Sequence, residues 1–132
     1  MTKGQKSIFC IDDDRDDLIL LRESIQRLSD IYVERAFDGE HALDILLQKK
    51  LSKRLPSLIV TDINMPKMDG NSLLRSLKKD EALRNIPVVV FTTSSKTVNQ
   101  QYIEDHHIQI ITKPTDWASY ETIAKKLLSY CK

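Results

Sequence analysis

Four short apolar runs in this chain each end in residues that carry chemistry. Leu58-Ile59-Val60 leads into Thr61-Asp62-Ile63-Asn64-Met65-Pro66-Lys67-Met68-Asp69-Gly70. Ile8-Phe9-Cys10-Ile11 ends in Asp12-Asp13-Asp14, Val88-Val89-Val90-Phe91 in Thr92-Thr93-Ser94, and Ile108-Gln109-Ile110-Ile111 in Thr112-Lys113-Pro114. Leu58-Ile59-Val60, short and without polar alternation, suits a strand buried on both faces. Pro66 and Gly70 break the chain after it. Asp62 is therefore expected at the carboxyl end of a core strand, facing a loop.

The segments between the runs have helical spacing. Leu18, Leu21, Ile25 and Leu28 predict a helix from Asp14 to about Leu28, with Asp14 as its N-cap and Asp16 and Asp17 in the first turn, where the helix dipole favours acid. Tyr32 to Ala36 reads as a second strand. Ala42, Leu43, Leu46 and Leu47 mark the next helix, which ends in a solvated run, Lys49-Lys50 and Lys53-Arg54. Leu73, Leu74 and Leu77 mark a third. Ser95 to His106 predicts a weakly apolar fourth, anchored by Val98, Tyr102 and Ile103. A fifth runs from Asp116 through Trp117, Tyr120, Ile123, Ala124, Leu127 and Leu128; Trp117 and Tyr120 read as core packing by this helix, with anchoring of a partner as the other reading. Strand and helix alternate throughout, which implies a parallel sheet covered on both faces. In such sheets ligands bind beyond the carboxyl ends of the strands, where the strand order reverses.

The residues gathered there define a reaction class. Asp12, Asp13 and Asp62 repel one another unless a hard divalent cation such as Mg²⁺ joins them. Lys113 adds a compact phosphate-binding charge and Thr92 a hydroxyl donor. A carboxylate nucleophile, a metal, a lysine and a hydroxyl suit phosphoryl transfer through an aspartyl phosphate. Composition narrows the remaining choices. Twenty basic and 19 acidic side chains leave a net charge of +1, which argues against a nucleic-acid or anionic-membrane binder. No apolar run approaches the roughly 18 residues of a membrane span. Met1 to Lys6 hold no signal-peptide segment, so the expected location is the cytoplasm. Cys10, in a strand, and Cys131, in the last helical turn, make neither a disulfide framework nor a zinc site. His41 reads as a surface residue, and His106-His107 as a solvated pair at a helix end.

On the motifs Asp12-Asp13, Asp62 to Gly70, Thr92 and Lys113-Pro114, the chain resembles the CheY-like receiver domain of bacterial two-component response regulators. The resemblance runs from Ser7 to about Tyr130. It implies a doubly wound (βα)5 flavodoxin-like fold, a five-stranded parallel sheet in order 2-1-3-4-5, with residues 1–132 as one receiver domain. It implies Asp62 as phosphoacceptor. Asp13 and Asp62 would hold Mg²⁺ directly, Asp12 through water, and Asn64 through its carbonyl. Thr92 and Lys113 resemble the switch hydroxyl and the phosphate-contacting lysine. Asn64, Thr93 and Ser94 fall at modulatory positions, Asn64 and Ser94 beside the path of the hydrolytic water. The long stretch before Pro56 and the Thr-Thr-Ser-Ser segment look most like stand-alone receivers paired with bacterial phytochrome kinases. One position departs from the pattern. Ile110 stands where receivers commonly carry a Tyr or Phe that changes rotamer on phosphorylation.

The leading expectation is a signalling receiver, not an enzyme acting on free substrates. It would take its phosphoryl group from a sensor histidine kinase. It would signal to a downstream protein, or a second copy, through the fourth helix, fifth strand and fifth helix. No nucleic-acid or membrane partner is expected. The chain ends with the fifth helix, so no attached effector is expected either. Two other readings are a Mg-dependent phosphatase with an Asp nucleophile and a phosphorylation-independent adaptor that retains the site. The first usually places a second acid two residues after the nucleophile, where this chain has Asn64.

Overall fold

Five short segments pair side by side, and their flanking helices cover both faces. The computed structural model describes residues 6–65, 68, 70–93 and 99–131. The strands are β1 (Ser7–Ile11), β2 (Tyr32–Ala36), β3 (Leu58–Thr61), β4 (Val88–Thr92) and β5 (Gln109–Thr112). The helices are α1 (Arg15–Leu28), α2 (Gly39–Ser52), α3 (Gly70–Lys79), α4 (Gln100–Asp105) and α5 (Ser119–Tyr130). All pairings are parallel and the strand order is β2-β1-β3-β4-β5. The alternation leads to a parallel sheet, and the doubly wound, flavodoxin-like order is the one that the resemblance implies.

Successive side chains of a strand point to opposite faces, so each strand feeds two cores. Ile8, Cys10, Leu58, Val60, Val89 and Phe91 pack with α1 and α5 through Leu18, Leu21, Ile25, Tyr120, Ala124 and Leu127. Phe9, Ile11, Ile59, Val88 and Val90 pack on the other face against Ala42, Leu46, Leu73, Leu74, Leu77 and Ile103 of α2, α3 and α4. β1, β3 and β4 are buried along their whole length. Ile110 is half-buried and packs on the α2–α4 side.

Several helix ends differ from expectation. Asp14 caps α1 by accepting from the amides of Asp16 and Asp17, as its sequence predicts. Leu28, the last residue of α1, is 37% exposed, and Leu47 of α2 lies one residue round from the buried Ala42–Leu46 line and is 40% exposed. Asn99 has extended backbone and its side chain accepts from the Tyr102 amide, capping α4 at Gln100. The expected start at Ser95 falls within residues 94–98, which lie outside the described part of the chain. α5 begins at Ser119, not Asp116. Trp117 precedes its first turn and is 71% exposed, so it is not a core residue. His41, His106 and His107 are exposed, as expected, and His106 packs on the Tyr102 ring at 4.1 Å.

Candidate functional site

Strand register places the functional side chains. Ile11 lies opposite both Ala36 and Thr61, and Thr92 opposite Thr112. The ladder runs one residue past the strand ends: the Asp12 amide donates to the Ala36 carbonyl, Asp62 to Ile11 and Lys113 to Thr92. Asp12, Asp62, Thr92 and Lys113 therefore surround one crevice at the carboxyl edge, and all four are buried. Gly70 shapes the floor of the loop after β3. A Cβ there would stand 2.4 Å from the Ile63 Cα, so only glycine lets the start of α3 come this close.

Lys113 is the centre of the charge arrangement. Its Nζ lies 2.6 Å from Asp12 Oδ2, 2.8 Å from Asp17 Oδ2 and 3.0 Å from Asp62 Oδ2. Asp62 Oδ1 accepts from the amides of Ile63 (2.6 Å) and Asn64 (3.1 Å). Asp12 Oδ1 accepts from the Asp14 amide at 3.0 Å. Asn64 Nδ2 donates to Thr92 Oγ1 at 3.3 Å, which ties the loop after β3 to the end of β4. Asp12, Asp13 and Asp62 bring carboxylate oxygens within 4.8 Å of one another.

One cation shared among several buried acids leaves an imbalance. Burial pushes Asp12 up to about 6, against the opposing pull of its bonds from Lys113 and the Asp14 amide. Burial would lower Lys113, but its bonds to Asp12, Asp17 and Asp62 outweigh that and hold it above its ordinary value. Lys113 is thus a fixed cation, and Asp12 carries charge that it does not fully neutralise. A set of hard oxygen donors with residual negative charge fits a divalent cation of the Mg²⁺ class. Burial also pushes the Cys10 thiol to about 12, which removes it from nucleophilic chemistry at neutral pH.

The structure brings together Asp12, Asp13, Asp62, Asn64, Thr92 and Lys113. Thr93 follows them, exposed, on the β4–α4 side. Ile110 lies on β5 and packs into the sheet rather than at the crevice. Ser94 and part of the Asp62–Gly70 motif (Pro66, Lys67 and Asp69) lie outside the described residues. Asp17 was missed as a site residue, because its place in the first turn of α1 reads as a response to the helix dipole. A signal was present: Asp17 is four residues before Leu21, so it lies on the face that α1 turns toward the sheet.

The same arrangement recurs in known proteins. A family model described as the response regulator receiver domain matches residues 8–125. The probable methanogenesis regulatory protein FilR2 of Methanothrix harundinacea is 29% identical over 126 residues, covering 93% of this chain and 81% of that protein. Other curated relatives are longer proteins, of which the chain spans 14% in one case and 33% in another. The phosphorylated cyanobacterial phytochrome response regulator RcpA superposes with a TM-score of 0.84 at 31% identity, covering 98% of both chains. The Mn²⁺-bound form of response regulator Rcp1 gives 0.75 at 29%, covering 94% of this chain and 92% of that one. With its sheet order, its acidic crevice and a match that spans nearly all of its length, this chain belongs to the response regulator receiver domain family.

Proposed function

We propose that the chain is a phosphorylation switch, in which Asp62 takes a phosphoryl group from a phosphohistidine of a sensor histidine kinase. The observation that carries this reading is Lys113 Nζ bridging Asp12, Asp17 and Asp62 in a buried crevice of converging carboxylates. An Asp62 carboxylate oxygen attacks phosphorus, and the P–N bond breaks. The imidazole leaves with the bonding pair and takes up a proton. Asp12, Asp13, Asp62 and Asn64 would hold Mg²⁺, which when bound would supply positive charge against the incoming phosphoryl group. Lys113 then transfers a hydrogen bond from the Asp62 carboxylate to a phosphoryl oxygen, and the Thr92 hydroxyl turns toward another. The phosphorylated state of RcpA and the bound metal of Rcp1 support this reading by similarity.

The resulting pull on the loops after β4 and β5 changes the face formed by α4, β5 and α5, which meets a downstream protein or a second copy. Ile110 has no ring to reorient, so α4 and its preceding loop carry the change. Asn64, Thr93 and Ser94 set how fast water removes the phosphoryl group. Neither Asn64 nor Ser94 is an acid or base at neutral pH, so self-hydrolysis is slow. Asn64, in place of an acid two residues beyond Asp62, weighs against turnover of free phosphate esters. Among the described residues no helix is long and apolar enough to cross a membrane, in keeping with a cytoplasmic site of action.

Incubation with Mg²⁺ and acetyl phosphate should add the mass of one phosphoryl group to Asp62, and Asp62→Asn should abolish it. Labelling of the variant equal to that of the parent would refute the assignment. A parent protein that is never labelled would favour the adaptor reading.

A further inference from the structure

The open edge of the sheet at β2 carries features that the phosphoryl site does not use. β2 is the terminal strand and pairs only with β1. The Asp12 amide donates to the Ala36 carbonyl, so the Ala36 backbone faces β1. In a parallel strand the two backbone polar groups of a residue point the same way, and the direction alternates along the chain. Tyr32 and Glu34 therefore also face β1, while the amides and carbonyls of Val33 and Arg35 face outward.

The flank of this edge is basic. A cleft of about 370 Å³ between α1 and β2 is lined by Arg22, Gln26, Tyr32, Glu34, Arg35 and Phe37. Arg15 extends it, its guanidinium 3.8 Å from the centre of the Phe37 ring. Arg22 Nε is buried and has no hydrogen-bond partner, the one such side-chain atom found among the described residues. None of these three arginines forms an ion pair with a described residue. The Glu34 carboxylate is already held by Lys49 of α2 at 2.5 Å. A buried guanidinium nitrogen without an acceptor is costly. Three unpaired arginines are also notable in a chain whose net charge is only +1.

We propose that this edge binds an extended acidic segment of a partner protein, which adds to the sheet as a sixth strand. Its backbone pairs with Val33 and Arg35. Its alternate side chains fall on the α1 side, where carboxylates meet the fork-shaped donors of Arg22 and Arg35. The intervening side chains fall on the α2 side, in a second cleft bordered by Tyr32, Ile45 and Arg54. Charge complementarity selects this occupant over a second copy of the chain, which would bring its own Arg22 and Arg35 to the same seam. The site lies on the strand farthest from β5 in the sheet order, away from the proposed output face, and does not depend on phosphorylation.

The test uses the whole chain and a dye-labelled, end-blocked heptapeptide of alternating Val and Glu. Fluorescence anisotropy should report saturable binding that weakens with salt. Replacing every Glu by Gln in the peptide, or introducing Arg22→Gln with Arg35→Gln in the protein, should each weaken it by about tenfold or more. Hydrogen exchange should show the Val33 and Arg35 amides slowed by the peptide. Unchanged β1 amides in the double variant would establish that its sheet is intact. Absence of binding, or equal binding of the Gln peptide, overturns the proposal. So does competition by succinate or phosphate without slowing of the edge amides, which would indicate a small-anion site. Slowing that rises with protein concentration in the absence of peptide would assign the edge to a second copy instead.

Discussion

Asp12 is held in the folded chain at a cost that its neighbours do not cancel. Its carboxyl sits near 6 in the fold against an ordinary 3.8. The native state therefore binds more protons than the unfolded state between about pH 4 and pH 6. Stability contributed by this group is present below that window and falls as pH rises through it. The Lys113 ion pairs do not oppose this trend there, because a raised lysine keeps its proton throughout the window. Asp12→Asn should therefore stabilise the metal-free protein above pH 6 by up to about 3 kcal/mol, two units at about 1.4 kcal/mol each. The gain should vanish near pH 3.5. Urea unfolding in EDTA at pH 7.5 and 3.5 measures it, and an equal difference at both values would contradict the argument. Mg²⁺ should narrow the gap, since it stabilises the parent carboxylate and finds one fewer in the variant.

At the scale of elements, what could be read depended on how local the cause was. Four strands were legible because each is a short, mainly apolar run that ends in polar residues, and β2, with Glu34 and Arg35 inside it, was legible from its place between two helical segments. The crevice was legible because βα alternation sends every such end to the same edge. The start of α5 was not: Trp117 reads as core by its apolar bulk, yet it falls in the turn before Ser119, where Asp116 accepts from the Ser119 hydroxyl. The basic cleft was equally hidden, since Arg22 and Arg35 meet only through the packing of α1 on β2. Gly70 was legible as a chain break but not as a packing requirement. That requirement makes a prediction about the β3–α3 junction. Gly70→Ala forces a methyl against the Ile63 backbone, and overpacking of this kind costs about 1–3 kcal/mol. The same displacement shifts the loop that carries Asp62 and Asn64, so acetyl phosphate labelling should slow as well. Arg75→Ala, on the exposed side of α3, should change stability by less than about 0.5 kcal/mol. A Gly70→Ala protein as stable as the parent would show that the close approach is not required.

For the whole molecule, stability is unevenly distributed around the sheet, and the uneven part lies beside the site. β1, β3 and β4 are buried along their length, whereas β5 is an edge strand with one buried residue of four. α4 has six residues and a single buried anchor, Ile103. Tyr102 is only half-buried against the core and donates to the Leu74 carbonyl of α3 through a long bond, at 3.5 Å. Elements with few buried contacts open at low free energy, and segments that switch are drawn from them. On the other face, Phe91 lies between the Lys113 ammonium, 5.8 Å from its ring centre, and the ring of Tyr120 of α5, packed edge-on at 5.9 Å. A movement of Lys113 toward a phosphoryl group would thus be felt at α5 through direct packing, and at α4 through Thr92. A phosphoryl group adds about −1.5 to −2 charges and three acceptor oxygens. Hydrogen exchange with and without beryllofluoride and Mg²⁺ should therefore change across residues 93–115 and at the start of α5, while β1 and β3 stay unaltered. Tyr102 and His106, whose rings pack at a 42° tilt with centres 4.1 Å apart, should report the change in their ring resonances, because Ile110 has no aromatic ring to do so. Unchanged protection over residues 93–115, with changes confined to α1 and α2, would place the output on the opposite side of the molecule.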